Sequence, residues 1–166
     1  MRNAVPLCAL LISAGPASAA ETGLNPADGA ILAQDAGNGL LHQCSRGTPE
    51  HVTGGWNPAP LQIRELENRL PAALALEARQ RGPRYKQPAA FRRQYAGLLI
   101  GNRRIIYVNA FPHDTGDLAK AGPPAARNFD RGREPVIVCD GGPAFFGVEY
   151  DPAKKTFAHF EFNGPP

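Results

Sequence analysis

The chain has 166 residues, with 18 lysines and arginines against 15 aspartates and glutamates, so length favours one domain and charge matters by its placement rather than its total. Its three cysteines have no C-x-x-C or papain-like surround, and its four histidines have no H-E-x-x-H or H-x-H spacing. These absences exclude the familiar thiol-redox, cysteine-protease and zinc-peptidase signatures.

Residues 1–20 have the anatomy of a secretory signal peptide: a charge at Arg2, an apolar run over 5–14, and small residues at 16–20 with an A-x-A site. The apolar run is shorter than the roughly 20 residues a bilayer span requires. Cleavage after Ala19 or Ala20 removes Cys8 and leaves Cys44 and Cys139. In an exported chain this pair predicts one disulfide, stabilising by about 2–4 kcal/mol. The expected location is therefore periplasmic or secreted, with no integral membrane segment in the mature chain.

Residues 21–39 are rich in Ala, Gly, Asn and Asp without periodicity and read as a flexible leader. The single α+β domain is expected over 40–166. Residues 48–55 read as loop, and Trp56 as a lid on the core. Asn57 followed by Pro58 and Pro60 is a helix-start signal. Ile63, Leu66, Leu70 and Leu74 then share one helical face, with Arg64, Glu65, Glu67, Asn68 and Arg69 mostly on the other. Pro71 falls inside this stripe and predicts a kink. Gly82 and Pro83 end the helix.

After a proline-containing connector, residues 95–100 and 103–110 form a predicted hairpin about Gly101–Asn102. A two-residue turn pairs Leu98 with Ile105 and Ala96 with Tyr107. The segment 112–135 reads as a long polar loop. Residues 135–164 carry the densest aromatic cluster and read as three short strands, with a type I turn starting at Asp151–Pro152. In the last of them Ala158, Phe160 and Phe162 are expected on the core face, and His159 and Glu161 outward.

Charge is uneven. Eight bases (Arg79, Arg81, Arg84, Lys86, Arg92, Arg93, Arg103 and Arg104) occur over 78–113 with no acid among them. Such a block attracts anionic polymers or serves as a solvated face. Arg92, Arg93, Arg103 and Arg104 are its candidate binding residues in the hairpin, spread over roughly 20–30 Å at the strand rise. Phe145 has outward parity beside a turn and is a candidate partner anchor. Asp140–Gly141–Gly142 is either a tight turn or an amide concavity for an anion. His113–Asp114 offers a base and a carboxylate without a nucleophile. Asp114 and Asp117 resemble the opening of a calcium loop, but its twelfth position is Ala125 rather than glutamate. No cofactor, metal site or nucleic-acid motif is implied.

The stretches Arg93–Gln94–Tyr95–Ala96–Gly97, Ile106–Tyr107–Val108–Asn109–Ala110–Phe111, Val138–Cys139–Asp140–Gly141–Gly142, Phe146–Gly147–Val148–Glu149–Tyr150–Asp151 and Phe160–Glu161–Phe162–Asn163–Gly164 together resemble small exported bacterial proteins of unassigned function. That resemblance spans 43–164 and brings no catalytic residues. The element order is also similar to the cystatin-like fold, which implies one helix lying across a curved sheet. Glu50–His51–Val52–Thr53–Gly54 is similar to the cystatin Q-x-V-x-G loop, but has Glu for Gln and precedes the helix, so protease inhibition does not carry over. The expected architecture is one kinked helix on an antiparallel sheet of four to six strands. The expected function is non-catalytic: a binding or inhibitor-like module for a periplasmic protein or an anionic envelope polymer. The alternatives are a small hydrolase using His113, Asp114 or Asp140, and an anionic-polymer binder acting through 79–104.

Overall fold

The computed structural model describes residues 29–81, 91–113 and 130–164. The expected signal peptide, the first part of the leader, Arg84, Lys86, Asp114 and most of the 112–135 loop lie outside the described residues.

One α-helix, α1 (Pro60–Arg81), packs on a six-stranded sheet built from β1 (Gly29–Ile31), β2 (Val52–Trp56), β3 (Phe91–Ile100), β4 (Arg103–Pro112), β5 (Phe146–Asp151) and β6 (Thr156–Phe162). The spatial order is β1-β3-β4-β5-β6, with β2 also on β3. The β3–β4 hairpin is its axis. Leu98 pairs with Ile105 and Ala96 with Tyr107, the register a two-residue turn imposes, and Gly101 takes the positive φ of +58° that this turn requires.

Three expectations about the sheet are corrected. It is mixed rather than antiparallel, because β1 pairs parallel with β3 through Gly29↔Arg93 to Ile31↔Tyr95. The ordered chain therefore includes Gly29, inside the segment read as leader. Residues 52–56 form a strand rather than a loop, pairing antiparallel with β3 over 97–100. Their glycines hide the alternation that marks a strand, but Gly97 has no side chain and lets the Trp56 carbonyl close on it. Residues 136–140 are irregular, not a strand. Their backbone is satisfied by side chains instead: the carbonyls of Val136, Val138 and Asp140 all accept from asparagines.

Alternation along the strands makes two apolar faces. On one, Ile63, Leu66, Leu70 and Leu74 of α1 bury against Tyr95, Ile106, Val108, Phe146, Val148, Tyr150 and Phe160. Fully burying such side chains contributes about 1.5–3 kcal/mol each. The helix starts at Pro60 rather than beside Asn57. Ala59 is the cap position, its N–H donating to the Gln62 Oε1 at 2.8 Å, the backward half of a capping box. The helix runs on through Pro71, which is exposed while Leu70 and Leu74 stay buried. Glu67, expected outward, turns to the sheet. Its carboxylate pairs with Arg93 at 3.0 Å and accepts the Tyr95 hydroxyl at 2.8 Å.

The second face carries Ala96, Leu98 and Tyr107 and is covered by Leu32 and Leu40. Two irregular segments continue that cover, residues 43–49 and 130–140. The Cys44–Cys139 disulfide joins them across a separation of 95 residues. Both cysteines are exposed, so the bridge clasps the two segments from outside while a polar network holds them from beneath. Arg46 donates to Asn109 and Asn163, and from Nε to the Tyr107 hydroxyl at 3.4 Å. Asn109 donates to the Val136 carbonyl at 2.9 Å and to Gln94 at 3.2 Å. Gln94 in turn donates to the carbonyls of Arg131 and Glu134.

Candidate functional site

Two clefts open at the hairpin-tip end of the sheet, and Arg103 lines both. The first, a notch of about 460 Å³, lies between the β3–β4 tip, the β5–β6 turn and the first turn of α1. Arg103, Arg104 and Lys154 supply three cations there, beside the polar side chains of Gln62 and Asn102. Its acid, Asp151, is nearly buried and holds the turn: Oδ1 accepts the amides of Ala153 at 3.0 Å and Lys154 at 3.1 Å. This is the Asp-Pro turn the sequence predicts; Asp151 makes no salt bridge with the three cations, and against them its single charge leaves the notch net positive. Arg104 lies over the Trp56 ring, 5.4 Å from its centroid. The indole is fixed by donating to the carbonyls of Leu98 and Ile105, so the stack pre-orients the guanidinium. No ion pair of Arg103, Arg104 or Lys154 occurs among the described residues. The neighbouring Lys155 differs: it bonds Glu65 at 2.6 Å and holds that carboxyl below its usual range.

The second cleft, about 420 Å³, lies on the face away from the helix, walled by residues 47–51, Ile100, Arg103, Tyr107, Glu149, His159 and Glu161. Two local features build it. Gly147 lets the Tyr107 ring cross β5; a Cβ at that position would run into the Tyr107 hydroxyl. His159 has φ +52°, and the β5–β6 register slips between Gly147 and Glu149. This bulge sets Phe157 and Phe160 on the helix face together, where strict alternation would separate them. Ala158, expected in the core, is therefore exposed. His159 is exposed as expected, and its Nδ1 lies 2.9 Å from Glu149 Oε1. Burial raises the Tyr107 hydroxyl above the usual phenol range, opposed by Arg46.

The sequence-predicted residues are scattered. Arg103 and Arg104 share the notch. Arg93 does not reach it: it is 8% exposed and sits under the helix, paired with Glu67. Strand parity makes Arg93 a core position, sharing the helix face with Phe91 and Tyr95. Arg92 is half-buried on the opposite face, its Nε without a partner among the described residues. The extended arginine track is thus reduced in the hairpin to its tip. Phe145 is 8% exposed, folded back over Gly141, and offers no ring to a partner. Gly141 and Gly142 have φ of +103° and +59°, but the Gly142 amide is used by the Gly164 carbonyl at 2.9 Å, so the turn is internal. His113 and Asp140 line neither cleft.

Lys154, the Glu149–His159 pair and the Arg46–Asn109–Asn163 network are functional or structural polar groups not singled out from sequence. The available signal was polar residues at mid-strand in apolar surroundings, namely Gln94, Asn109 and Glu149. Among the described residues no group of three or more His, Cys, Asp or Glu side chains is arranged to hold a metal, and no helix is long and apolar enough to cross a membrane. No family model, curated protein or solved structure matches this chain.

Proposed function

We propose that this chain is an exported, non-catalytic binding module that takes an anionic group of an envelope polymer into the hairpin-tip notch. The observation that carries the reading is the convergence of Arg103, Arg104 and Lys154 on one open notch without an ion-pairing carboxylate. Burying the helix-facing Arg93 in a salt bridge while leaving these three without an ion pair separates a structural cation from candidate binding cations. Guanidinium groups suit phosphate and carboxylate by bidentate hydrogen bonding, and Lys154 adds a mobile point charge. The Arg104–Trp56 stack lowers the ordering cost of one contact. Export is supported by the Cys44–Cys139 bridge, since such bridges form and persist chiefly in oxidising compartments, and by the signal-like residues 1–20.

The test is retention of the folded mature chain on immobilised lipopolysaccharide and on polygalacturonate, at low and moderate salt. The wild type is expected to be retained at low salt, and an Arg103→Ala/Arg104→Ala/Lys154→Ala variant to pass through. Retention unchanged by the triple substitution, or absent from both polymers, overturns the reading.

A further inference from the structure

Glu149 is a carboxylate that the basic notch does not use. Its side chain is 9% exposed, yet it lines the second cleft. Oε1 is engaged by the His159 imidazole at 2.9 Å. Oε2 has no hydrogen-bond partner among the described residues, nor is it sealed off from solvent. A carboxylate stripped of most of its water with an open acceptor is poised for a donor. The surroundings favour a cation. Glu50 and Glu161 line the same cleft, against Arg103 and the imidazoles of His51 and His159. Arg103 lines the cleft but makes no ion pair with Glu149: its backbone is four residues along β4 from Tyr107, the residue paired with Glu149, or roughly 13 Å of strand.

We infer that this cleft is a receptor for an aliphatic ammonium group, such as the lysine side chain of a peptide. The selection among cations follows from His159. A guanidinium binds a carboxylate best through two parallel N–H···O bonds, which need both oxygens. Here the His159 ring stands against Oε1 and takes one of its lone pairs, which hinders a side-by-side approach to both oxygens and leaves Oε2 as the oxygen without a partner, a match for a point donor. The apolar stem packs along Ile100, Pro49 and the Tyr107 ring, and the ammonium reaches Glu149 Oε2 with Glu161 beside it. The left-handed backbone at His159 is what brings its ring over Glu149, so the bulge is the device that sets selectivity. This site and the basic notch stand or fall separately.

The test uses the folded mature chain and three capped probes: the Nα-acetyl methylamides of lysine, arginine and norleucine. Binding is followed by NMR through the His159 and Tyr107 side-chain signals. The lysine probe is expected to bind saturably, the arginine probe about tenfold more weakly, and norleucine not at all, since one charge-assisted hydrogen bond separates them. Glu149→Gln should weaken the lysine probe at least about tenfold. Should that buried substitution unfold the chain, His159→Ala, at an exposed side chain, decides: it frees Oε1, so the arginine probe must gain on the lysine probe. No saturable lysine binding, equal binding of norleucine, or an unchanged lysine-to-arginine ratio in His159→Ala overturns the proposal.

Discussion

Replacing Glu67 by leucine should be among the most damaging single changes on the helix. The side chain fits the space and the helix propensity, so the cost falls on what it leaves behind. Arg93, 8% exposed, loses a carboxylate at 3.0 Å, and the Tyr95 hydroxyl loses its acceptor at 2.8 Å. Removing one partner of a buried ion pair costs about 3–5 kcal/mol, and stranding a buried hydroxyl adds about 1–3 kcal/mol. Arg93 keeps the Phe91 carbonyl at 2.7 Å, which places the total near the lower end, about 4 kcal/mol. The same reasoning predicts that Glu67→Leu combined with Arg93→Met recovers the ion-pair part of the loss, because an apolar replacement of a whole buried pair is often neutral, while the Tyr95 hydroxyl, which bonds both residues, stays unpaired. Urea unfolding of wild type, both single variants and the double variant gives the cycle, with a coupling of about 3 kcal/mol expected. A Glu67→Leu cost under about 1 kcal/mol, or additive single effects, would refute the burial argument and return Arg93 to the surface.

Other expectations follow from the same packing. Thiol titration of the denatured, unreduced chain lacking residues 1–20 should find no free thiol, since Cys44 and Cys139 are joined; two thiols would contradict this. Phe160→Ala should cost about 3–5 kcal/mol in urea unfolding, and His159→Ala well under that, because only the first is buried. Gly147→Ala should destabilise by about 1–3 kcal/mol, since its methyl meets the Tyr107 hydroxyl, and Tyr107→Phe should relieve part of that cost. Burial holds the hydroxyls of Tyr95, Tyr107 and Tyr150 protonated above the usual phenol range. The folded form therefore keeps protons that the unfolded form releases near pH 10. The stability these groups confer is complete below that pH and is lost as pH rises through the raised folded values. Absorbance titration should show Tyr95 ionising only with alkaline unfolding, and Tyr107 and Tyr150 ionising later than a free phenol.

The hairpin register, the helix stripe, the disulfide and the Asp-Pro turn were legible because each rests on local chemistry: turn residues, 3.6-residue spacing, a lone cysteine pair. Strands Gly29–Ile31 and Val52–Trp56 were not. One is three residues long and the other carries two glycines, and both exist through pairing with the same edge of Phe91–Ile100. The irregular run at 136–140 looked like a strand because Val136, Ile137 and Val138 have strand chemistry; the side chains of Asn109 in β4 and of Asn163, just past β6, claimed its carbonyls instead. Parity in the last strand failed at His159, where a bulge inserted by tertiary packing reverses the faces. Two of the three cations of the basic notch were visible, Arg103 and Arg104. Lys154 was not, because it joins them only when two hairpin ends meet in space.

The most direct test of the binding account is the salt dependence of affinity for an anionic polymer, measured for wild type and for Arg103→Ala, Arg104→Ala and Lys154→Ala separately. Each contact displaces about one counterion, so log K falls linearly with log salt, and nucleic acids calibrate the slope at about 0.7–0.9 per charge. The account predicts that each substitution flattens the slope by about that amount. It also predicts that Arg79→Ala, at an exposed arginine on the last turns of the helix, leaves the slope unchanged. Equal flattening by Arg79→Ala, or no flattening by the three notch substitutions, would contradict it.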